Sequence, residues 1–177
     1  MPRTFWLLLC TLFLPVVALS QEKPKKLEPC TLLTASDAVN IMGAPMKVVD
    51  LSKNSCTYGE YRGRGSFAGG GVLDRMLLFT VNRYKNPQAE EKEWGKTKAS
   101  ALDPANKEQT QVLTGIGDEA YLVGRTSDGK LTDSPQVVVR HGAVTFSIAI
   151  LLPPGHQPVT LSAEALIAAA KKIAEQL

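Results

Sequence analysis

The first twenty residues constrain everything that follows them. Arg3 supplies a positive start, and residues 5–18 are almost wholly apolar, interrupted only by Cys10, Thr11 and Pro15. Ala18-Leu19-Ser20 then places small residues at the first and third positions of a cleavage site. Charge, apolar run and small residues in that order make a secretory signal. A membrane-spanning helix needs about 20 apolar residues. This run is shorter, and Gln21-Glu22-Lys23-Pro24-Lys25-Lys26 follows it at once. We therefore expect a secreted or periplasmic chain, with residues 1–20 as the signal peptide, 21–29 as a flexible lead-in and 30–177 as one domain. Retention of the run as an N-terminal anchor is the alternative. Neither Cys10 nor Cys30 follows the run of small residues that a lipidation signal requires, so no stable membrane anchor is expected after cleavage.

Export decides the chemistry of the cysteines. Cys10 leaves with the signal, and Cys30 and Cys56 are the only pair left. An oxidising compartment favours a disulfide between them. Closing a loop of roughly 27 residues contributes about 3.5 kcal/mol in the chain-entropy model. The rival readings are a metal site and a reactive thiol. A structural zinc site takes four ligands at tight spacing, and His141 and His156 make no such pattern with the cysteines, so neither metal nor cofactor is expected. Of the 177 residues, 44% are hydrophobic and 21% charged, an ordinary globular composition that argues against a wholly disordered or collagen-like chain. The formal charge of +3 lacks the basic excess of a nucleic-acid binder.

Helices are expected at both ends of a β-rich middle. Thr34 and Asp37 have capping-box spacing, Ala35, Ala38, Val39 and Met42 share one helical face, and Gly43 sits where a C-terminal cap belongs, which predicts a helix over 34–43. Short strands are expected at 47–51 and 55–61. Residues 72–81 carry apolar side chains in both alternating sets, as in a strand buried on both faces. A second helix is expected over 88–102, with Trp94, Thr97, Ala101 and Leu102 inside and Glu90, Glu91, Lys92 and Lys96 outside. Strands at 109–113 and 120–123, a polar loop at 126–134 and a hairpin of 136–140 with 143–151 around His141-Gly142 follow. Leu166, Ala169, Ala170, Ile173 and Leu177 mark a last helix, capped by Thr160 or Ser162. The fold class expected is α+β, an antiparallel sheet covered by helices on one face. An echo between Ser55-Cys56-Thr57-Tyr58 and Glu119-Ala120-Tyr121 raises two α-β-β-β repeats as an arrangement.

Three residues stand out as candidate binding groups. Arg62 and Arg64 lie in a Gly/Arg-rich stretch suited to gripping an anion or an acidic partner. Gly63-Arg64-Gly65-Ser66-Phe67-Ala68 fits the G-x-G-x-x-A string literally, but a strand follows it instead of the helix that a dinucleotide site requires. Asp118 sits in Gly115-Ile116-Gly117-Asp118. It offers an acid or a ligand, although two glycines beside an aspartate more often build a turn. No G-x-S-x-G elbow is present, both histidines fall in turns, and no catalytic residue is assigned.

Cys30-Thr31-Leu32-Leu33-Thr34, the helix ending at Gly43, Cys56-Thr57-Tyr58 and Gly115-Ile116-Gly117-Asp118-Glu119-Ala120 together resemble a group of small exported bacterial domains of unknown function. That group is similar to the extracellular sensor domains of some bacterial serine/threonine kinases and to related lipoproteins. The resemblance implies a helix-covered antiparallel sheet with a Cys30–Cys56 bridge and implies no catalytic residues. The function expected is a non-catalytic envelope or secreted module that binds a protein or a small ligand. A secreted hydrolase with an unrecognised site and an inhibitor of an extracellular enzyme are the alternatives.

Overall fold

The computed structural model describes residues 26–62, 72–103, 105, 109–125, 131–155 and 161–177. Residues 1–20, expected to be a signal peptide, most of the expected lead-in, Arg64 and His156 lie outside the described residues. The elements run in the order α1 (Pro29–Leu32), α2 (Ala35–Met42), β1 (Lys47–Leu51), β2 (Ser55–Arg62), β3 (Val72–Arg83), α3 (Pro87–Ala101), β4 (Thr110–Leu113), β5 (Glu119–Arg125), β6 (Leu131–His141), β7 (Val144–Leu151) and α4 (Ala163–Ala174). The strands form one antiparallel sheet in the order β1-β2-β3-β7-β6-β5-β4. The α+β class is as expected.

Local chemistry sets the helix ends. Thr34 Oγ1 accepts from the Asp37 amide at 3.3 Å, and Asp37 Oδ2 accepts from the Thr34 amide at 2.9 Å, a reciprocal capping box. Gly43 closes α2 at φ 63°, a left-handed conformation that costs a glycine little. The Asn86 side chain caps α3 through Ala89 N at 2.8 Å, and Ser162 caps α4 through Ala165 N at 3.0 Å.

Alternation along the strands divides the molecule into two layers. On one face Leu77, Phe79, Val81, Ala120, Leu122, Val137, Val139, Phe146, Ile148 and Ile150 are buried. They form the main core with Ile41 and Met42 of α2 and Leu166, Ala170 and Ile173 of α4. On the opposite face Tyr121 and Val138 pack against Trp94 and Ala101 of α3. The helices therefore do not share one face: α1, α2 and α4 cover one side, and α3 crosses the other. The periodicity of α3 does not reveal which side it covers, because an apolar stripe fits either face.

Other expectations are corrected in detail. The second face of β3 is covered only in part: Asp74 is buried, while Met76, Leu78 and Thr80 are half-buried. β6 begins at Leu131, inside the stretch expected to be a polar loop, because Arg125 pairs with Leu131 and the ladder satisfies its backbone whatever the side chains. Leu102 caps α3 as an exposed residue, not an inward one. Glu90, placed outside by its charge, is 2% exposed. The chain order does not repeat α-β-β-β: three strands follow α2, but four follow α3, and each run is a meander. Tyr58 faces the main core while Tyr121 faces α3, so the tyrosines behind the echo are not equivalent positions.

Cys30 and Cys56 are bonded, with Cα atoms 5.3 Å apart. The bridge fastens the start of α1 to the core face of β2. Beside it the Tyr58 hydroxyl donates to the Leu33 carbonyl, so the α1–α2 junction is held to β2 twice. Replacing both cysteines with alanine should lower unfolding free energy by about 3 kcal/mol while leaving the far-ultraviolet dichroism of the fold, as read by urea titration of the two proteins. A loss below about 0.5 kcal/mol would show that the bridge does not constrain the unfolded chain.

Candidate functional site

Helix α3 turns one half of the otherwise open sheet face into a walled cleft. Its inward stripe runs Glu90, Trp94, Thr97 and Ala101, at the spacing that lines up helical side chains. Glu90 Oε1 meets Arg140 Nε of β6 at 3.0 Å, an ion pair whose acidic partner is almost wholly buried. Trp94 lies stacked on Tyr121 of β5, with ring centroids 6.0 Å apart. The Trp94 indole Nε1 donates to Glu119 Oε2 at 2.7 Å, Lys98 Nζ donates to both oxygens of the same carboxylate at 3.2 Å, and Tyr121 Oη donates to Oε2 at 3.4 Å. One carboxylate at the start of β5 thus gathers three donors and fixes the roll of α3 over β5 and β6.

Between α3 and the strands at the centre of the sheet lies a gap. The gap is a cleft of about 260 Å³. Its floor is Thr80 and Asn82 of β3, Thr145 and Ser147 of β7 and Gln136 of β6, and Thr97, Glu93 and Trp94 form the α3 wall. Thr80 is directly opposite Ser147 and Asn82 opposite Thr145, so four hydrogen-bonding side chains meet across one strand pair. Tyr84, half-buried, closes one end. The charged member, Glu93, is paired with Lys96 at 2.6 Å. The cleft therefore offers hydroxyls and amides, groups that both donate and accept, with little net charge.

Electrostatics at the pins follow from these bonds. The Trp94 hydrogen bond is the strongest influence on Glu119, and with Lys98 and Tyr121 it holds that carboxyl below its ordinary value against the opposing effect of burial. Lys98 is raised in turn, mainly by its hydrogen bond to Glu119. At Asp37 burial is the largest single influence and pushes the carboxyl up, but the bonds from Lys172 and Thr34 together outweigh it and leave the group lowered.

The residues singled out in the sequence are not gathered here. Arg62 ends β2 opposite Val72, at one end of the sheet. Asp118 lies at the other end: its amide donates to the Arg140 carbonyl at 2.8 Å, and its Oδ2 accepts from the Gly142 amide at 2.7 Å. It clamps the bend between β6 and β7. Gly117, at φ 57°, permits the close approach, since a Cβ there would stand 2.3 Å from the Arg140 carbonyl oxygen. His141 is half-buried at the end of β6. Among the described residues no group of three His, Cys, Asp or Glu side chains is arranged to hold a metal ion. No described helix is long and apolar enough to cross a membrane. Sequence reading missed Glu90, Arg140 and Glu119 as partners, because none has a signal until the strand order sets β5 and β6 beneath α3.

No family model matches the chain, and neither a curated protein nor a solved structure shows significant similarity to it.

The sign of the pH dependence follows from the lowered carboxyls. Glu119 and Asp37 stabilise the fold fully above the unfolded carboxyl values near pH 4, and that stability is lost as pH falls through their lower folded values. The melting temperature should hold from about pH 7 to 5 and fall below about pH 4. A Glu119→Gln variant should show a shallower acid decline than the parent when both are followed by thermal melts from pH 7 to 2.

Proposed function

We propose that the protein is an exported, non-catalytic recognition module, and that the cleft beneath α3 takes a neutral, hydroxyl-rich ligand of sugar type. The observation that carries this reading is the lining of the cleft. Thr80, Asn82, Thr97, Gln136, Thr145 and Ser147 converge on one space from four separate elements. A ligand whose hydroxyls both donate and accept can satisfy such a set, whereas an apolar ligand would strand these groups without partners. The side of Tyr84 offers a ring against which the carbon face of a sugar can lie.

Export supports the same reading. The signal-like run in the sequence and the Cys30–Cys56 bridge fit a chain that matures outside the cytosol. The resemblance proposed from the sequence motifs implies no catalytic residues, in keeping with this reading. The hydrolase alternative finds less support at Asp118, the acid singled out in the sequence, because its carboxylate is spent on a backbone amide.

Screening the purified protein against a panel of immobilised neutral oligosaccharides, followed by calorimetry on the best member, tests the proposal. Filling the cleft with Ser147→Phe should weaken binding at least ~10-fold, and Gln136→Ala should weaken it ~3- to 10-fold, each loss reflecting one or two hydrogen bonds. Both variants should keep melting temperatures close to that of the parent. Absence of any binder in the panel, or an affinity indifferent to both substitutions, would contradict the assignment.

A further inference from the structure

A second concavity, about 700 Å³, lies at the end of the sheet on the other side of Tyr84. Four cations line it: Lys26 from the chain ahead of α1, Lys53 from the β1–β2 turn, Arg83 at the end of β3 and Lys85 on the way into α3. Its remaining lining residues are Leu27, Asn54, Val81 and Tyr84, so no carboxylate is among them. All four cations are exposed. The whole chain carries only a +3 excess over 177 residues, so a cleft with four positive and no negative side chains among its described lining residues is a local concentration of charge that composition conceals.

The backbone that carries these groups is fixed. Ser52 Oγ accepts from the amides of Asn54 at 3.4 Å and Ser55 at 3.2 Å, which shapes the turn presenting Lys53. Asn54 then reaches β3 twice, its carbonyl accepting from the Val81 amide at 2.8 Å and its Nδ2 donating to Asn82 Oδ1 at 3.1 Å. The Tyr84 amide donates to the Ala143 carbonyl at 2.8 Å, extending the ladder between the cationic neighbours Arg83 and Lys85. Lys26 is anchored by Leu27, which packs against the core, and by the Cys30–Cys56 bridge four residues on. Lys53 stands three residues before the other half of that bridge. Like charges gathered in one cleft repel one another, and an anion placed among Lys26, Lys53 and Lys85 relieves that repulsion and gains from each.

We propose that this cleft binds a phosphate-bearing ligand with at least two negative charges, at a site separate from the neutral cleft under α3. The size of the space suits a compact group of pyrophosphate or phosphosugar dimensions. A short cluster at one end of the sheet is too small for the long basic track that a nucleic acid needs. Lysines serve such a ligand as point charges that tolerate varied phosphate geometry.

Calorimetry of the full protein with inorganic pyrophosphate at low salt is the test, run beside flotation with vesicles containing cardiolipin, whose headgroup bears two phosphates, to distinguish a soluble phosphate from a lipid headgroup. Binding should fall at least ~10-fold in Lys53→Glu/Lys85→Glu and fall steeply with added salt. A charge-matched control, Lys92→Glu/Lys171→Glu, should bind within ~2-fold of the parent. Dichroism and melting temperature verify that both variants fold. Binding to either probe that only the cleft variant loses supports the site, and competition between the probes identifies the source. Failure to bind either probe, or equal losses in the two variants, overturns it. Oligosaccharide binding by the same variants separates this proposal from the neutral cleft, which charge reversal here should leave unchanged.

Discussion

The seam between β3 and β7 organises the molecule. β1-β2-β3 and β4-β5-β6-β7 are each meanders, built by pairing neighbours in sequence. Only β3 with β7 joins them, through a ladder that runs from Met76 with Leu151 to Arg83 with Val144. Its register puts Phe79 against Ile148 and Val81 against Phe146 on the core side, where the Phe79 and Phe146 rings lie 6.1 Å apart. The same register puts Thr80 against Ser147 and Asn82 against Thr145 on the other side. A one-residue slip would turn the aromatic set outward and the polar set into the core. Core and cleft are thus fixed by one pairing decision.

The helices divide their work between the two faces. α2 and α4 bury the apolar side of the seam and are tied to each other by Lys172 and Asp37 at 2.8 Å. α3 covers the second meander on the opposite face, where the apolar cluster is small: Trp94, Ala101, Tyr121 and Val138 with Val123 against it. Polar contacts supplement that small cluster. A hydrogen bond involving a charged group contributes about 1.5–3 kcal/mol when well shielded, and stacked aromatic pairs about 0.5–1.5 kcal/mol. The Trp94–Tyr121 stack falls on that scale, while the Glu90–Arg140 ion pair and the donors around Glu119 fix where the helix lies more than how tightly it is held.

How much of this was legible in the sequence depended on the range of the interaction. Thr34, Asp37 and Gly43 announce α2 because caps are made within one turn of chain. The 136–151 hairpin is legible because Phe146, Ile148 and Ile150 alternate beside a His-Gly bend. The disulfide followed from having two cysteines left to pair. By contrast, Glu90 read as a surface charge, since its partner Arg140 lies fifty residues away and meets it only after β6 passes under α3. The cationic cleft is assembled from three separated segments, so no window of sequence displays it. Arg62, Arg64 and Asp118 drew notice as local motifs. Of these, Asp118 proved to be a bracket for the hairpin bend, and the two arginines lie away from the cleft under α3 or outside the described residues.

If the seam is what makes the two meanders one structure, its amides should be the last to open. Native-state hydrogen exchange followed by mass spectrometry reads this directly. The amides of β3 between Leu77 and Val81 and those of β7 between Thr145 and Ile150 should exchange together, at the free energy of global unfolding. Exchange of one meander at a markedly lower free energy than the other, with the β3–β7 amides opening alongside the weaker half, would show two separately stable units and contradict the account.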